Sequence, residues 1–267
     1  MLIAQISDPH LLQTDSGVYG GEEALRAAVV HLLALPLLPD VVLLTGDLAD
    51  KGQPAEYARL LELLRPLPMP LYAIPGNHDD RAGVQAVFGA QGESALDGFV
   101  QYVVEGWPVR LIALDTLVPG SDAGGLKAVQ LDWLDARLNE APERPTLLFM
   151  HHPPFATGLK VFDEIGLREA EHFAAVVARH PQIGAVVAGH VHSSMIRRFA
   201  GTLALTCGST KHSWLPDFGR PELLAVRPEP PGCLLHVWQP ESGLVTHSSL
   251  IGQNAPLTLV NDGEQWL

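Results

Sequence analysis

Residues 41–47 read VVLLTGD, an aliphatic run from Val41 to Leu44 that stops at Thr45-Gly46-Asp47. A short, continuous Val/Ile/Leu run closed by turn residues is the pattern of a strand buried on both faces. The same pattern recurs along the chain. Residues 2–6 end at Ser7-Asp8-Pro9-His10, and residues 71–74 end at Pro75-Gly76-Asn77-His78-Asp79. Residues 111–114 end at Asp115-Thr116, and residues 147–150 at His151-His152-Pro153-Pro154. Residues 185–188 end at Gly189-His190-Val191-His192. Between these runs, apolar residues repeat at helical spacing in 22–35, 55–64, 129–138 and 167–178. Alternation of strand and helix predicts an α/β fold.

After Gly189 the pattern becomes strand upon strand, at 195–199, 202–207, 223–227, 233–238 and 244–250. A hairpin is expected across Gly106-Trp107-Pro108. The architecture expected is two mixed sheets packed face to face with helices outside, a four-layer α/β/β/α sandwich. It should form a single domain over residues 1–267, with a C-terminal β-rich segment at about 195–251. The chain shows neither a long linker nor an internal repeat.

Composition narrows the function. The chain has 267 residues, with 47% hydrophobic and 18% charged, which is ordinary globular composition. Its net charge is −13 and its longest basic cluster is Arg197-Arg198, so a nucleic-acid polymer would be repelled. That weighs against a nuclease. Two cysteines, Cys207 and Cys233, make no disulfide framework. The N-terminus has no basic segment or cleavage site, and no apolar run reaches the ~18 residues of a membrane span. A cytoplasmic location is the expectation. Twelve histidines stand out.

Ligand sites of open α/β sheets lie beyond the carboxyl ends of the strands. Five such ends carry Asp, Asn or His: Asp8 and His10, Asp47, Asn77 and His78, His151, and His190 with His192. Imidazole and carboxylate suit zinc, iron and manganese. In extended backbone, residues i and i+2 point to one side, so Asp8/His10 and His190/His192 could each aim two groups at one place. Asp8, His10, Asp47, Asn77, His151, His190 and His192 are seven candidates. With one bridging carboxylate they make two four-ligand metal sites, the arrangement of two-metal phosphoester hydrolysis. Singly, each motif has a plain structural reading: Asp8 and Asp47 as helix caps, Gly76-Asn77 as a turn, the histidines as loop residues. Together and in order, they favour the metal site.

The series Asp8-Pro9-His10, Gly46-Asp47, Gly76-Asn77-His78-Asp79, His151 and Gly189-His190-Val191-His192 resembles the calcineurin-like metallophosphoesterases. Residues 46–52, Glu56-Tyr57 and His151-His152-Pro153-Pro154 look like the class III cyclic-nucleotide phosphodiesterases, and equally like the related glycerophosphodiesterases. The resemblance implies that Asp8, His10, Asp47 and His192 hold the first metal, typically iron. Asp47 bridges. Asn77, His151 and His190 complete the second site, for manganese, zinc, cobalt or iron, more weakly held because Asn77 is neutral. His78 faces the substrate and protonates the leaving oxygen, while a metal-bridging hydroxide attacks phosphorus in line. The implied activity is hydrolysis of small phosphodiesters, 3′,5′-cyclic nucleotides such as cAMP first and glycerophosphodiesters second. Lys51 and Pro75 stand where the family's protein phosphatases carry phosphate-clamping arginines, and no tyrosine follows Gly46-Asp47 as in purple acid phosphatases.

Lesser candidates follow. His212 is a substrate-side histidine by resemblance, or a plain loop residue. His152 and Asp115 are expected to support the ligands from behind. Asp79 and Asp80 should cap the next helix. Cys207 reads as core. Loops 12–21 and 155–162 should wall the pocket. Trp214, Trp238 and Trp266 serve either an oligomer surface, a pocket wall or the core. A homo-oligomer is a possible assembly. The rival class is a protein-binding scaffold on the same fold, against which the complete ligand set argues.

Overall fold

The computed structural model describes residues 1–12, 20–220, 222–227 and 230–252. Most of the loop 12–21 and Trp266 lie outside the described residues. The first part alternates strand and helix: β1 (Leu2–Ile6), α1 (Gly21–Leu33), β2 (Val41–Thr45), α2 (Pro54–Leu64), β3 (Leu71–Ile74) and α3 (Arg81–Phe88). A second series follows: β4 (Tyr102–Val104), β5 (Arg110–Ala113), α4 (Ala128–Asn139), β6 (Thr146–Phe149), α5 (Lys160–Glu164), α6 (Ala170–Val177) and β7 (Ile183–Ala188). Strands close the chain: β8 (Ile196–Phe199), β9 (Thr202–Thr206), β10 (Ser213–Leu215), β11 (Ala225–Arg227), β12 (Gly232–Gln239) and β13 (Gly243–Leu250).

These strands form two mixed sheets. The first has the order β13-β12-β1-β2-β3, with β1, β2 and β3 parallel and β12 antiparallel to β1. The second has the order β4-β5-β6-β7-β9-β8, with β5, β6, β7 and β9 parallel. The strand-only C-terminal run therefore divides three ways. β8 and β9 extend the second sheet, β12 and β13 cross to the first, and β10–β11 form a separate ribbon.

Alternation places the layers. In the second sheet Leu111, Ala113, Leu147, Phe149, Ala185 and Val187 belong to the core shared with the first sheet. Their neighbours Ile112, Leu148 and Val186 pack instead with Leu134 and Leu138 of α4 and Phe173 and Val177 of α6. The period of two along a strand sends successive side chains to opposite faces, so these strands must be aliphatic throughout. On the far side, Leu25 and Leu32 of α1 and Leu60 and Leu63 of α2 cover the first sheet. The result is the expected α/β/β/α sandwich. Burying each such Leu or Phe contributes about 1.5–3 kcal/mol.

One helix starts later than its periodicity suggests. Residues 167–178 were expected to be helical, but α6 begins at Ala170. Glu169 sits at φ 51°, a left-handed conformation that breaks the helix, and Leu167 forms a β-bridge with Gly124. No helix among the described residues is long and apolar enough to cross a membrane.

Candidate active site

All the parallel strands of both sheets deliver their carboxyl ends to one region, and the polar turn residues follow at once. Asp8 and His10 leave β1, Asp47 leaves β2, and Asn77 and His78 leave β3. His151 leaves β6, and His190 and His192 leave β7. All but Asn77 and His78 are buried.

The atoms converge on two points. Around the first, His10 Nε2 lies 3.0 Å from His192 Nε2 and 3.4 Å from Asp47 Oδ2, and His192 Nε2 lies 3.5 Å from Asp8 Oδ1. Around the second, His151 Nε2 lies 3.4 Å from the same Asp47 Oδ2 and 3.1 Å from Asn77 Oδ1. His190 lies beside it, its ring centroid 5.1 Å from that of His151. One carboxylate oxygen of Asp47 thus stands between both groups.

The hydrogen bonds behind the rings fix which atoms face inward. His151 Nδ1 is 2.8 Å from Thr45 O, and His10 Nδ1 is 3.3 Å from Asp50 Oδ1. Each Nδ1 therefore carries the proton, and each Nε2 turns a lone pair inward. Acceptors then face acceptors: imidazole nitrogen, carboxylate oxygen and amide oxygen. His190 Nε2 is also buried with no hydrogen-bond partner among the described residues. Such a cluster is stable only around a cation, so the donor set fits two metal ions. Without metal, a proton takes the cation's place. Burial works to lower the pKa of His151, but Asp47 outweighs it and raises the value to about 9. Burial, then the His151 charge, lowers His190 to about 3, and burial pushes Asp8 up to about 6. Neutral His190 and His192 are already in ligand form.

The backbone differs from the extended form expected for the two paired motifs. Asp8, His10, Asp47, His190 and His192 all have positive φ, from 43° to 72°. They are five of the eight non-glycine residues with this property among the described residues. Left-handed turns, not strand alternation, bring the pairs together, at a cost of order 1–3 kcal/mol each. The surrounding loops hold that strain. Asp8 accepts from His190 N (3.0 Å), tying the two sheets' loops, and Asp47 Oδ1 accepts from His78 N (3.0 Å). A Cβ on Gly76 would lie 2.2 Å from Asp47 Oδ1, and one on Gly46 2.3 Å from His151 Nδ1. Only glycine lets these loops close on the ligands.

Asp80 caps α3 by accepting from Gly83 N (2.8 Å). Asp79 does not share that role. It is buried and accepts from Leu48 N (3.0 Å), Ala49 N (3.0 Å), Gly76 N (2.9 Å) and the Tyr57 hydroxyl (3.0 Å). It therefore pins the Asp47 loop to the Asn77 loop. Burial, then the Asp47 charge, raises its pKa to about 6.

His152 packs on His190 and His151, with centroids at 4.5 and 4.8 Å. Both of its nitrogens have hydrogen-bond partners, Thr116 Oγ1 (2.8 Å) and Asp122 O (3.1 Å), although one of them also lies within 4.8 Å of ring nitrogens of His151 and His190. Asp115 is turned to Arg81 (Nε 2.5 Å from Oδ2) and to the backbone of Val100 and Leu117. Among the described residues its carboxylate bonds none of the candidate ligands.

A cavity of about 290 Å³ opens on the cluster. His10, Asp47, His190 and His192 form its floor, and His78, Lys211 and His212 stand at its sides. Phe162, Ile165, Trp214 and Leu224 make an apolar wall. Of loop 155–162, Phe162 lines the cavity. Trp214 belongs to the β10–β11 ribbon, and Trp238 packs against the core. His78 Nδ1 is 2.9 Å from Asp50 O. His212 lies with its ring 4.6 Å from that of His192, and burial, then the His10 charge, lowers it to about 4. Asp50 and Tyr57 lie in the stretches that resemble the phosphodiesterases, but the sequence assigned no role to them or to Lys211. Asp50 orients His10, and Lys211 Nζ donates to His10 O (3.2 Å). For Lys211 the available signal was its place beside His212. Lys51, in place of a clamping arginine, pairs with Asp50 (3.0 Å).

Comparison with known proteins agrees with this geometry. Residues 1–194 match the family model described as calcineurin-like phosphoesterase. A probable glycerophosphodiester phosphodiesterase, GpdQ, of Arcobacter nitrofigilis is 33% identical over 95% of this chain and 94% of its own length. A probable cyclic nucleotide phosphodiesterase of Synechococcus is 40% identical over 84% of each chain. A dimetal phosphatase from Danio rerio shares the fold, with a TM-score of 0.66 and 16% identity over 94% of this chain and 98% of that one. By its motifs, its sandwich and these relatives, the chain belongs to the calcineurin-like phosphoesterase family.

Proposed function

We propose that this chain is a two-metal phosphodiesterase of small diesters, with 3′,5′-cyclic nucleotides as its preferred substrates. The observation that carries the reading is Asp47 Oδ2, 3.4 Å from both His10 Nε2 and His151 Nε2, each an acceptor held inward by a bond behind it. Asp8, His10, Asp47 and His192 would hold one ion, and Asp47, Asn77, His151 and His190 the other. Iron with manganese, zinc, cobalt or a second iron suits these donors. When bound, two such ions supply Lewis acidity at the phosphoryl oxygens and a water acidified enough to attack phosphorus.

The chain's own residues do the rest. His78 directs Nδ1–H to Asp50 O, which leaves Nε2 free to serve the cavity. Protonated there, it gives its proton to the departing oxygen. Lys211 adds positive charge at the cavity edge. The wall of Phe162 and Trp214 offers ring faces that suit a purine and give a bare glycerol little to hold. A net charge of −13 speaks against polymeric nucleic acid. The cytoplasm, with its supply of such diesters, suits this role.

A glycerophosphodiester is the second reading, supported by the GpdQ relative that aligns over 95% of the chain. Initial rates of the manganese-loaded protein on cAMP and on glycerophosphoethanolamine, at matched concentrations, separate the two. A cAMP kcat/KM of about 10⁴ M⁻¹s⁻¹ or more is expected. A higher value on the glycerol diester reverses the order, and inactivity on both refutes the diesterase reading.

A further inference from the structure

Beneath the ligand cluster, a chain of buried polar groups crosses from one sheet to the other, and Gln5 is its centre. Gln5 is fully buried in β1. Its Nε2 donates to Thr45 Oγ1 at the end of β2 and to Ala188 O at the end of β7, both at 3.0 Å. Its Oε1 lies 3.2 Å from His236 Nε2 in β12, and His236 Nδ1 lies 2.8 Å from Thr246 Oγ1 in β13. Both amide protons and the amide oxygen are thus engaged.

The two strand ends that Gln5 grips are those that carry ligands. Thr45 precedes Asp47 by two residues, and its carbonyl accepts from His151 Nδ1 (2.8 Å) and from Ser7 Oγ (3.2 Å). Ala188 precedes His190 by two residues. Gln5 itself lies three residues before Asp8. Each metal group draws on both sheets: His192 joins Asp8, His10 and Asp47, while Asn77 and Asp47 join His151 and His190. The separation of the sheets at this end therefore sets the separation of the ligands. Aliphatic packing between sheets is non-directional and fixes that separation only loosely. A hydrogen-bonded amide fixes it in distance and direction. Burying an amide among aliphatic neighbours costs about 1–3 kcal/mol if its bonds are missing, so an apolar residue would serve simple stability as well.

We propose that Gln5 is a positioning residue for the two-metal site, holding the ligands of the first sheet in register with those of the second. This rests on the two-metal reading above. The test compares the full-length protein with Gln5→Leu and Thr45→Val, the latter removing the Oγ1 acceptor but not the carbonyl that holds His151. Manganese binding is measured by equilibrium dialysis. Electron paramagnetic resonance of the loaded protein reports whether two ions are magnetically coupled, which a merely stabilising role would not move. Circular dichroism confirms folding, and if Gln5→Leu does not fold, Thr45→Val carries the test. Wild type should bind two ions with a coupled spectrum. The variants should lose about 10- to 100-fold in affinity at one site and shift toward the spectrum of isolated ions. Two ions at wild-type affinity with an unchanged coupled spectrum in a folded variant would overturn the role of Gln5 alone. Fewer than two ions on the wild type would overturn the two-metal reading and this inference with it.

Discussion

His78 and Asp47 are one residue class apart in role, although their loops touch. Asp47 faces two acceptor groups at once, whereas His78 bonds Asp50 O through Nδ1 and borders the cavity. His78→Ala is therefore expected to keep both metals while losing kcat by about 10²- to 10⁴-fold. Initial rates with metal content measured in parallel check both. At this scale the sequence was legible where an Asp, Asn or His closes an aliphatic run, as with Asp8, His10, Asn77, His151, His190 and His192, which the structure brings together. The role was not legible where a common residue acts through its neighbour, as with Asp50 and Tyr57, which stood in a family-like stretch without a task, and with Lys211. The left-handed backbone at Asp8 and His190 was equally hidden, because nothing in Asp-Pro-His or His-Val-His encodes positive φ.

The loops that end β2 and β3 are positioned as one element. Asp79 joins them through three backbone N–H groups, and Gly76 lets Asp47 lie against the chain. Gly76→Ala places a methyl 2.2 Å from Asp47 Oδ1, so the loop must move. Loss of one or both metals and a fall in activity of at least about 100-fold are expected, read by metal analysis and rate. Tyr57→Phe is milder. It removes one donor to Asp79 and the acceptor of Asp80 N (2.7 Å), and should cost about 1–3 kcal/mol in urea unfolding. Strands and long helices were legible because aliphatic runs and turn residues mark their ends. The start of α6 was not, because Glu169 breaks a helical pattern that its own sequence continues.

At the level of the molecule, the sandwich shape followed from the alternating pattern, but the pairing of β12 with β1 did not. Those strands lie more than two hundred residues apart, and local pattern carries no record of which distant edge a strand joins. The pairing buries His236 beside Gln5. Burial lowers the His236 pKa from 6.5 to about 4, so the folded chain holds it neutral where the unfolded chain takes a proton. Its contribution to stability is therefore complete above pH 6.5 and drains as pH falls toward 4, by about 3 kcal/mol. Urea unfolding of chelator-treated protein at pH 7.5 and 5 should show about 2 kcal/mol of this loss from His236, so that the fall in wild type exceeds that in His236→Gln by about that much. Metal binding adds stability on top. Each ion present at a hundred times its dissociation constant contributes about 2.7 kcal/mol, so a chelator should lower Tm.

The central claim is that diester hydrolysis needs two ions sharing Asp47. Its most direct test is to strip the protein with chelator, titrate it with manganese, and follow cAMP hydrolysis against ions bound, alongside Asp47→Ala. Activity should be absent without metal, reach its plateau as the second ion binds, and stay at least about a thousandfold lower in Asp47→Ala. Full activity in the stripped protein, at one ion per chain, or in Asp47→Ala would contradict it.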